Sequence, residues 1–329
     1  MPKYAVGVDL GGTNVRAVLV NEMGQVCSYS RELTKSQEGP DGVIAQITAL
    51  VRLVIKEAGV TNSQVQGLGI GLPGVIDSNK GVAITLPNLK GWRDVPVGEL
   101  LEDLLQLPVY CENDARMAAW GEKIQGAGRN YQDLVCLTLG TGVGSGIFLA
   151  GKMWRGYQGS AGEIGHLTVV RDGLLCSCGN RGCLEMYVSG GGIAHRARQA
   201  ASRDSTSQIY QAVGGKIQEI SAVTVYKAAQ ADDQTALNLI QETADYLGLA
   251  LANLSNILNP ELFILGGGLS NGWGELLLKP VRKVVEQRAM SLNKEVKIVQ
   301  AQLGDKAGVI GAAEMALSLP DLTQNATRW

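Results

Sequence analysis

Six side chains able to bind a cation or a polar ligand crowd into one short stretch of the chain. They are Glu163, His166, Cys176, Cys178, Cys183 and Glu185, carried by Gly162-Glu163-Ile164-Gly165-His166 and by Cys176-Ser177-Cys178-Gly179-Asn180-Arg181-Gly182-Cys183-Leu184-Glu185. Three cysteines and a histidine form a common ligand set for a closed, four-coordinate zinc site. Cys176-x-Cys178 is tighter than the usual two-residue knuckle, and Gly179 and Gly182 give the backbone freedom to fold Cys183 back onto the same centre. A disulfide or three buried thiols are the alternatives. A disulfide leaves one of the three unpaired, and no secretory signal precedes the first strand. Cys27, Cys111 and Cys136 lie in apolar surroundings and read as core thiols. Glu163 and Glu185 bracket the metal clip and read as ligands for something polar beside it.

A second kind of chemistry is carried by glycine turns. Asp9-Leu10-Gly11-Gly12-Thr13-Asn14 places two glycines and a hydroxyl between apolar segments, and Gly140-Thr141-Gly142-Val143-Gly144 repeats the pattern. Successive N–H groups in such turns form an anion nest suited to phosphate. Asp9 at the strand end can hold Mg²⁺, directly or through water. An ordinary hairpin turn capped by an aspartate is the plainer reading. A third glycine run, Gly266-Gly267-Gly268, adds weight to a nucleotide site. Gly69-x-Gly71-x-x-Gly74 formally matches a dinucleotide fingerprint, but Pro73 lies within it and no helical pattern follows. No P-loop pattern occurs. In Cys111-Glu112-Asn113-Asp114-Ala115, where a strand passes into a helix, Asp114 can act as a general base with Asn113 aligning a hydroxyl. Helix capping is the competing role.

The elements that must position these residues follow from periodicity. Strands are predicted at 4–10, 15–20, 25–31 and 65–71, with an amphipathic helix over 41–58. A short helix at 96–105, a strand at 108–111 and a helix at 113–125 complete a mixed α/β unit. The second half opens in a similar way, with strands at 134–139 and 145–150. Helices follow at 192–202, 217–231 and 234–258, then a strand at 261–265, a helix at 274–292, a strand at 295–300 and a helix at 308–318. Val8–Thr13 aligns with Leu137–Gly142, a weak internal repeat of two hairpins. The pattern breaks near 113–130, giving a small α/β domain over 1–115, completed by a C-terminal helix at 308–320, and a large one over 116–307 that carries the zinc loop.

Composition narrows the class. The 329 residues are 45% hydrophobic and carry a formal net charge of −2, so nothing points to nucleic acid or an anionic membrane surface. The longest apolar runs fall short of a membrane span. With a strand starting at residue 4 and no signal peptide before it, the expectation is a cytoplasmic protein.

Taken in order, Asp9-Leu-Gly-Gly-Thr13, Glu112-Asn113-Asp114-Ala115, Leu139-Gly-Thr-Gly-Val-Gly144, Glu163-Ile-Gly-His166 and Cys176-x-Cys178-Gly-x-x-Gly-Cys183-x-Glu185 resemble the ROK family (repressors, open reading frames and kinases) in its bacterial glucokinase branch. The resemblance spans essentially the whole chain, including Leu265-Gly-Gly-Gly268. It implies the actin-like ATPase (ribonuclease H-like) fold, two α/β domains with a cleft, and ATP-dependent phosphorylation of glucose at its 6-hydroxyl. On that reading Asp114 is the base. Gly74, Asn88, Asn113, Asp114, Glu163, His166 and Glu185 bind the sugar. Asp9, Gly11, Gly12, Thr13, Asn14, Gly140, Thr141, Gly142, Gly267 and Gly268 hold ATP, with Mg²⁺ alongside it and Asp9 its tentative ligand. His166, Cys176, Cys178 and Cys183 ligate a structural zinc. A homo-oligomer, dimer or tetramer, is implied too. Other hexoses (fructose, mannose, an N-acetylated amino sugar) are the nearest alternative substrates. A sugar-responsive regulator is more remote: Asp9 lies too near the start to leave room for a preceding DNA-binding domain.

Overall fold

A computed structural model describes residues 3–318 and divides the chain into two compact units. The first takes in residues 3–130, 153–161 and 305–318; the second takes in 131–152 and 162–304.

In the first unit β1 (Tyr4–Leu10), β2 (Asn14–Asn21) and β3 (Val26–Leu33) form an antiparallel meander. Helix α1 (Gly39–Glu57) follows, buried through Val43, Ile47, Leu50, Val51 and Val54, as its 3.6-residue spacing requires. Strand β4 (Val65–Leu72) then pairs parallel to β1. A small antiparallel sheet of β5 (Val75–Asp77), β6 (Val82–Thr85) and β7 (Arg93–Val95) comes next, a set that periodicity did not reveal because each strand has three or four residues. Helix α2 (Val97–Leu105), strand β8 (Val109–Asn113), parallel to β4, and helix α3 (Asp114–Ile124) complete the run. The main sheet has the order β3-β2-β1-β4-β8.

The second unit repeats this plan. Strands β9 (Leu134–Leu139) and β10 (Val143–Leu149) form an antiparallel hairpin, continued by the short β11 (Lys152–Met153). Helices α4 (Glu185–Val188), α5 (Gly190–Ala201), α6 (Gln208–Gln211), α7 (Ala222–Gln230) and α8 (Gln234–Leu258) precede β12 (Leu262–Gly266). Helices α9 (Gly267–Trp273) and α10 (Glu275–Arg288) and strand β13 (Lys297–Gln300) follow. The sheet order is β11-β10-β9-β12-β13, with β12 parallel to both β9 and β13. In each sheet, then, a hairpin's first strand sits between its antiparallel partner and a parallel strand. The aligned Val8–Thr13 and Leu137–Gly142 segments occupy equivalent places in the two sheets.

The C-terminal helix α11 (Ala307–Leu317) belongs to the first unit. It lies directly on β1 and β4 because Gly7 and Gly69 present no side chain there: a Cβ would stand 2.1 Å from the Val309 carbonyl oxygen and 1.9 Å from that of Ala312. Helix α3 packs on α11 through Met117, Ala312 and Met315. That packing keeps α3 in the first unit, so the break falls at 130/131 and not at 115/116. The segment 153–161 also joins the first unit, which the sequence did not foretell. Residues 319 and 320 of the expected helix lie outside the described residues.

Two other expectations change. The helix expected at 274–292 is α10 and ends at Arg288, and the Gly266–Gly268 run is not a free turn but the start of a further helix, α9. Cys27 is exposed on β3, whose outer positions face solvent; Cys111 and Cys136 are buried as expected. Among the described residues no helix is long and apolar enough to cross a membrane.

Candidate active site

The first unit gathers its chemical groups at the carboxyl ends of its parallel strands, where ligands bind in open α/β sheets. Register fixes this: Asp9 of β1 lies opposite Gly71 of β4, and Gly71 lies opposite Glu112 of β8. The next residues of β8 are Asn113 and then Asp114, the first residue of α3. Asn113 caps that helix: its Oδ1 accepts from the N–H groups of Ala115 at 3.0 Å and Arg116 at 3.3 Å. Its Nδ2 donates to the Gly74 carbonyl at 3.2 Å, which brings Gly74 to the same corner. The capping role and a catalytic one therefore fall to different residues. Asn113 is the cap, while the Asp114 carboxylate accepts from the Ala115 N–H at 2.8 Å.

Asp114 is half-buried, and its pKa is pushed up to about 7. Burial is the main cause, the negative charge of Asp9 adds to it, and the Ala115 N–H opposes both. A carboxylate that titrates near neutrality is suited to accept a proton at that pH. Asp9 is itself shifted upward by burial, against the pull of Arg16, whose Nη1 lies 3.0 Å from Oδ2.

The turn after β1 is closed by the Gly11 N–H donating to the Asn14 carbonyl at 2.8 Å. Gly12 lies against Asn88, so that candidate contact and the turn are neighbours, and Thr13 is exposed at the tip. Asn14 is occupied elsewhere: its Oδ1 accepts from Arg31 Nε at 3.1 Å.

In the second unit the corresponding turn is Gly140–Gly142, closed by the Gly140 N–H to the Gly142 carbonyl at 3.0 Å. Glu185 accepts from the Val143 N–H at 2.8 Å, and Gly142 lies against its carboxylate. β12 pairs with β9 so that Gly266 faces Thr138, which sets Gly267 and Gly268 beside the end of β9 and this turn. The start of α5 joins them through the Gly190 N–H, 2.8 Å from the Gly140 carbonyl. Sequence reasoning passed over that contact, although the run Ser189-Gly-Gly-Gly192 marks it.

Glu163 is exposed and opens a short 3₁₀ turn, Ile164–His166, in which His166 is half-buried. The turn is held to β10 by the Ser145 hydroxyl, which donates to the Gly162 carbonyl. Beyond it, His166, Cys176, Cys178 and Cys183 bring one ligand atom each within 4.8 Å of one another. Cys178 Sγ and Cys183 Sγ are 3.7 Å apart, and Cys176 Sγ is 3.6 Å from His166 Nδ1. Sulfur atoms bound tetrahedrally at the usual zinc–sulfur length of about 2.3 Å stand about 3.7 Å apart. A disulfide needs about 2.0 Å, and all three cysteines are free. The donor set thus fits a tetrahedral cation. The backbone path that allows it turns at Gly182, where φ is +74° and a Cβ would stand 1.7 Å from the Val170 carbonyl oxygen.

One group near Asp114 escaped sequence reasoning. Glu112 is fully buried and ion-paired to Arg116 at 3.3 Å and Arg155 at 3.0 Å. Burial raises its pKa and the Arg116 charge opposes the shift. Arg155 comes from the 153–161 segment, and no spacing rule connects it to β8.

Comparison with known proteins gives the family. The sequence pattern of the ROK family matches residues 5–318. A glucokinase of Halalkalibacterium halodurans is 38% identical over 94% of this chain and 93% of its own. A ROK family glucokinase of Streptomyces griseus, solved with glucose and AMPPNP, is 37% identical, with a TM-score of 0.80 over 95% of this chain and 98% of that one. A xylose repressor of Caldicellulosiruptor bescii is 33% identical over 95% of this chain but 78% of its own length. With the family pattern covering nearly all of the described residues, and the actin-like ATPase fold shared with the solved relatives, the chain is a member of the ROK family.

Proposed function

We propose that this chain is a glucokinase, transferring the γ-phosphoryl group of ATP to the 6-hydroxyl of glucose. The observation that carries the reading is Asp114: an aspartate at the tip of a parallel strand, heading a helix, with its pKa near neutrality. The glucokinases of Halalkalibacterium halodurans and Streptomyces griseus, each matched over nearly its full length, support glucose as the acceptor and ATP as the donor.

Phosphoryl transfer asks for positioning and charge neutralisation more than for covalent help. Asp114 Oδ2 accepts the proton of the attacking hydroxyl, while the Ala115 N–H holds Oδ1. Asn113, Gly74 and Asn88 line up the sugar beside it. Glu163, His166 and Glu185 take sugar hydroxyls in charge-assisted bonds. Glu185 is oriented for this by the Val143 N–H. The Gly11–Thr13 and Gly140–Gly142 turns cradle the phosphates, with Gly267 and Gly268 toward the adenosine. Asn14 contributes through its backbone, since its side chain serves Arg31. Mg²⁺ arriving with ATP would supply charge neutralisation, and Asp9 would be its ligand. His166, Cys176, Cys178 and Cys183 would hold a zinc ion, which would supply no chemistry of its own but would fix the turn that carries Glu163 and His166. The setting is the cytoplasm, and the working form is a homo-oligomer.

A panel of hexoses (glucose, fructose, mannose, N-acetylated amino sugars) tested in a coupled ADP-release assay decides the substrate. Glucose should lead in kcat/KM, and a clear lead for another sugar would displace it. The likeness to a xylose repressor supports a regulator as the second reading. Sugar binding without turnover on any member of the panel would favour it.

A further inference from the structure

A buried ionic cluster sits two residues before Asp114, and none of its members is among the substrate contacts above. The Glu112 carboxylate accepts from the Asn113 N–H at 2.8 Å and from Ser78 Oγ at 2.9 Å. Two guanidinium groups, those of Arg116 and Arg155, close on it. The three side chains are 0%, 7% and 15% exposed, so one carboxylate faces two cations with almost no water between them. Arg155 also donates to the Tyr110 hydroxyl and stands over its ring, 5.3 Å from the centroid. Burial lowers its pKa to about 10, which still leaves it charged near neutrality. Burying such a set contributes little to stability against an apolar replacement, because desolvation offsets the attraction. Its geometry is the more informative property.

Arg116 uses its remaining N–H groups on the backbone: Nη1 donates to the Gly159 carbonyl at 2.6 Å and Nη2 to that of Ala161 at 2.8 Å. The Ala161 N–H in turn donates to the Arg155 carbonyl at 2.9 Å, closing residues 155–161 into a loop. This strap is gripped at its start by Arg155 and at its end by Arg116, and both grips meet on Glu112. The residue after Ala161 is Gly162, which begins the turn carrying Glu163 and His166. The same carboxylate therefore holds Asn113, the cap beside Asp114, and the strap from which the Glu163 turn departs.

We propose that Arg155 is a positioning residue for sugar binding: paired with buried Glu112, it pins the 155–161 strap to β8 and so fixes where the chain enters the Glu163–His166 turn. The inference rests on the reading of that turn as a sugar contact. Removing Arg155 frees the start of the strap while leaving Asp114, the phosphate turns and the four zinc donors intact. Its effect falls on glucose affinity and spares ATP.

The test compares wild type, Arg155→Met and Arg155→Lys, each checked for zinc content and for a cooperative thermal transition. Arg155→Met should raise KM for glucose about tenfold while KM for ATP and kcat at saturating sugar stay within about threefold. Arg155→Lys, which restores a cation opposite Glu112, should recover most of the loss. Chymotrypsin gives a readout without turnover, because Tyr157 at the strap's tip is fully exposed. Cleavage after Tyr157 should be several-fold faster in Arg155→Met than in wild type. KM for glucose unchanged in folded Arg155→Met overturns the proposal, as does a rise in KM for ATP equal to that for glucose. If wild type itself turns over no glucose, it is the glucokinase reading that falls. The strap is then judged by cleavage alone, and equal cleavage rates in the two proteins overturn the pinning. Should Arg155→Met not fold, Arg155→Gln is read against the same limits.

Discussion

The two chemical regions of this protein are held in place by different means. Asp9 and Asp114 stand at the ends of β1 and β8, and their positions follow from strand register, from the cap at Asn113 and from a core that includes Met117 and Ala312. The Glu163–Glu185 region is mostly loop. Between the Ile164–His166 turn and α4 its regular pairing is limited to two isolated bridges, Thr168 to Cys183 and Leu175 to Arg181; loop hydrogen bonds, such as the Cys176 N–H to the Asn180 carbonyl at 2.8 Å, and the Cys/His cluster hold the rest. Secondary structure orients the proposed proton acceptor; among the proposed sugar ligands, Glu185 is oriented by the Val143 N–H, while the Glu163–His166 turn adjoins the Cys/His cluster, which would be fixed by a bound cation. Losing one functional atom should therefore hurt the first region through chemistry and the second through geometry.

The largest effect tests the first half of that contrast. Asp114→Asn keeps the shape and the N–H contact of the side chain but cannot take a proton. Turnover should fall by a factor on the order of hundreds or more, with glucose binding by calorimetry near normal. Near-native turnover would remove Asp114 as the base. In wild type the same residue should shape the pH profile. Asp114 must be ionised to act and its pKa stands near 7, so kcat/KM for glucose should fall as pH drops through about 7. Well below that pH the fall should approach about tenfold per unit.

Cys178→Ser, or removal of the metal with a chelator, probes the second half. The phosphate turns lie in hairpins that need no metal, so KM for glucose should rise on the order of tenfold before KM for ATP moves. Cys178 is the exposed member of the cluster and hence the ligand whose replacement disturbs packing least. Unchanged sugar affinity in protein shown by elemental analysis to lack zinc would mean that the loop is held by its own contacts. The Tyr187 hydroxyl, which accepts from the Leu174 N–H at 3.0 Å, would be the first of these to examine.

The contrast also explains what could be read in the sequence. The clip was legible because ligand spacing is a local property: three cysteines and a histidine within a few turns of chain have few other uses. The turns at Gly11 and Gly140 were legible for the same reason, and the long helix Gln234–Leu258 because one apolar stripe runs its whole length. Asp114 needed the company of other motifs, since its local context serves a helix cap equally well. Arg155 was out of reach. It meets Glu112 only because the 153–161 segment folds back onto the first unit, and that return is set by long-range packing with no periodic trace in the residues concerned. The break between units was misplaced for a related reason. What binds α3 to the first unit is α11, nearly two hundred residues further along the chain.

The smallest expected effect is on stability, and it has the opposite sign to the effect on activity. In the unfolded chain Asp114 ionises near its ordinary value of 3.8; in the folded protein it does so near 7. A group whose folded pKa is raised stabilises the fold below its unfolded pKa and loses that contribution as pH rises through the folded value. Native Asp114 is therefore most costly to the fold at the pH where it is most useful as a base. Asparagine carries no such charge. Asp114→Asn should melt a few degrees above wild type at pH 8, and the difference should shrink toward zero as pH approaches about 4. Asp9 is raised by burial as well and adds to the repulsion at Asp114, so Asp9→Asn should lower the pH at which wild-type activity sets in. A melting difference that does not change with pH would mean that the two carboxylates are not under this electrostatic strain. The neutral pKa would then have to be abandoned as the reason for choosing Asp114 as the base.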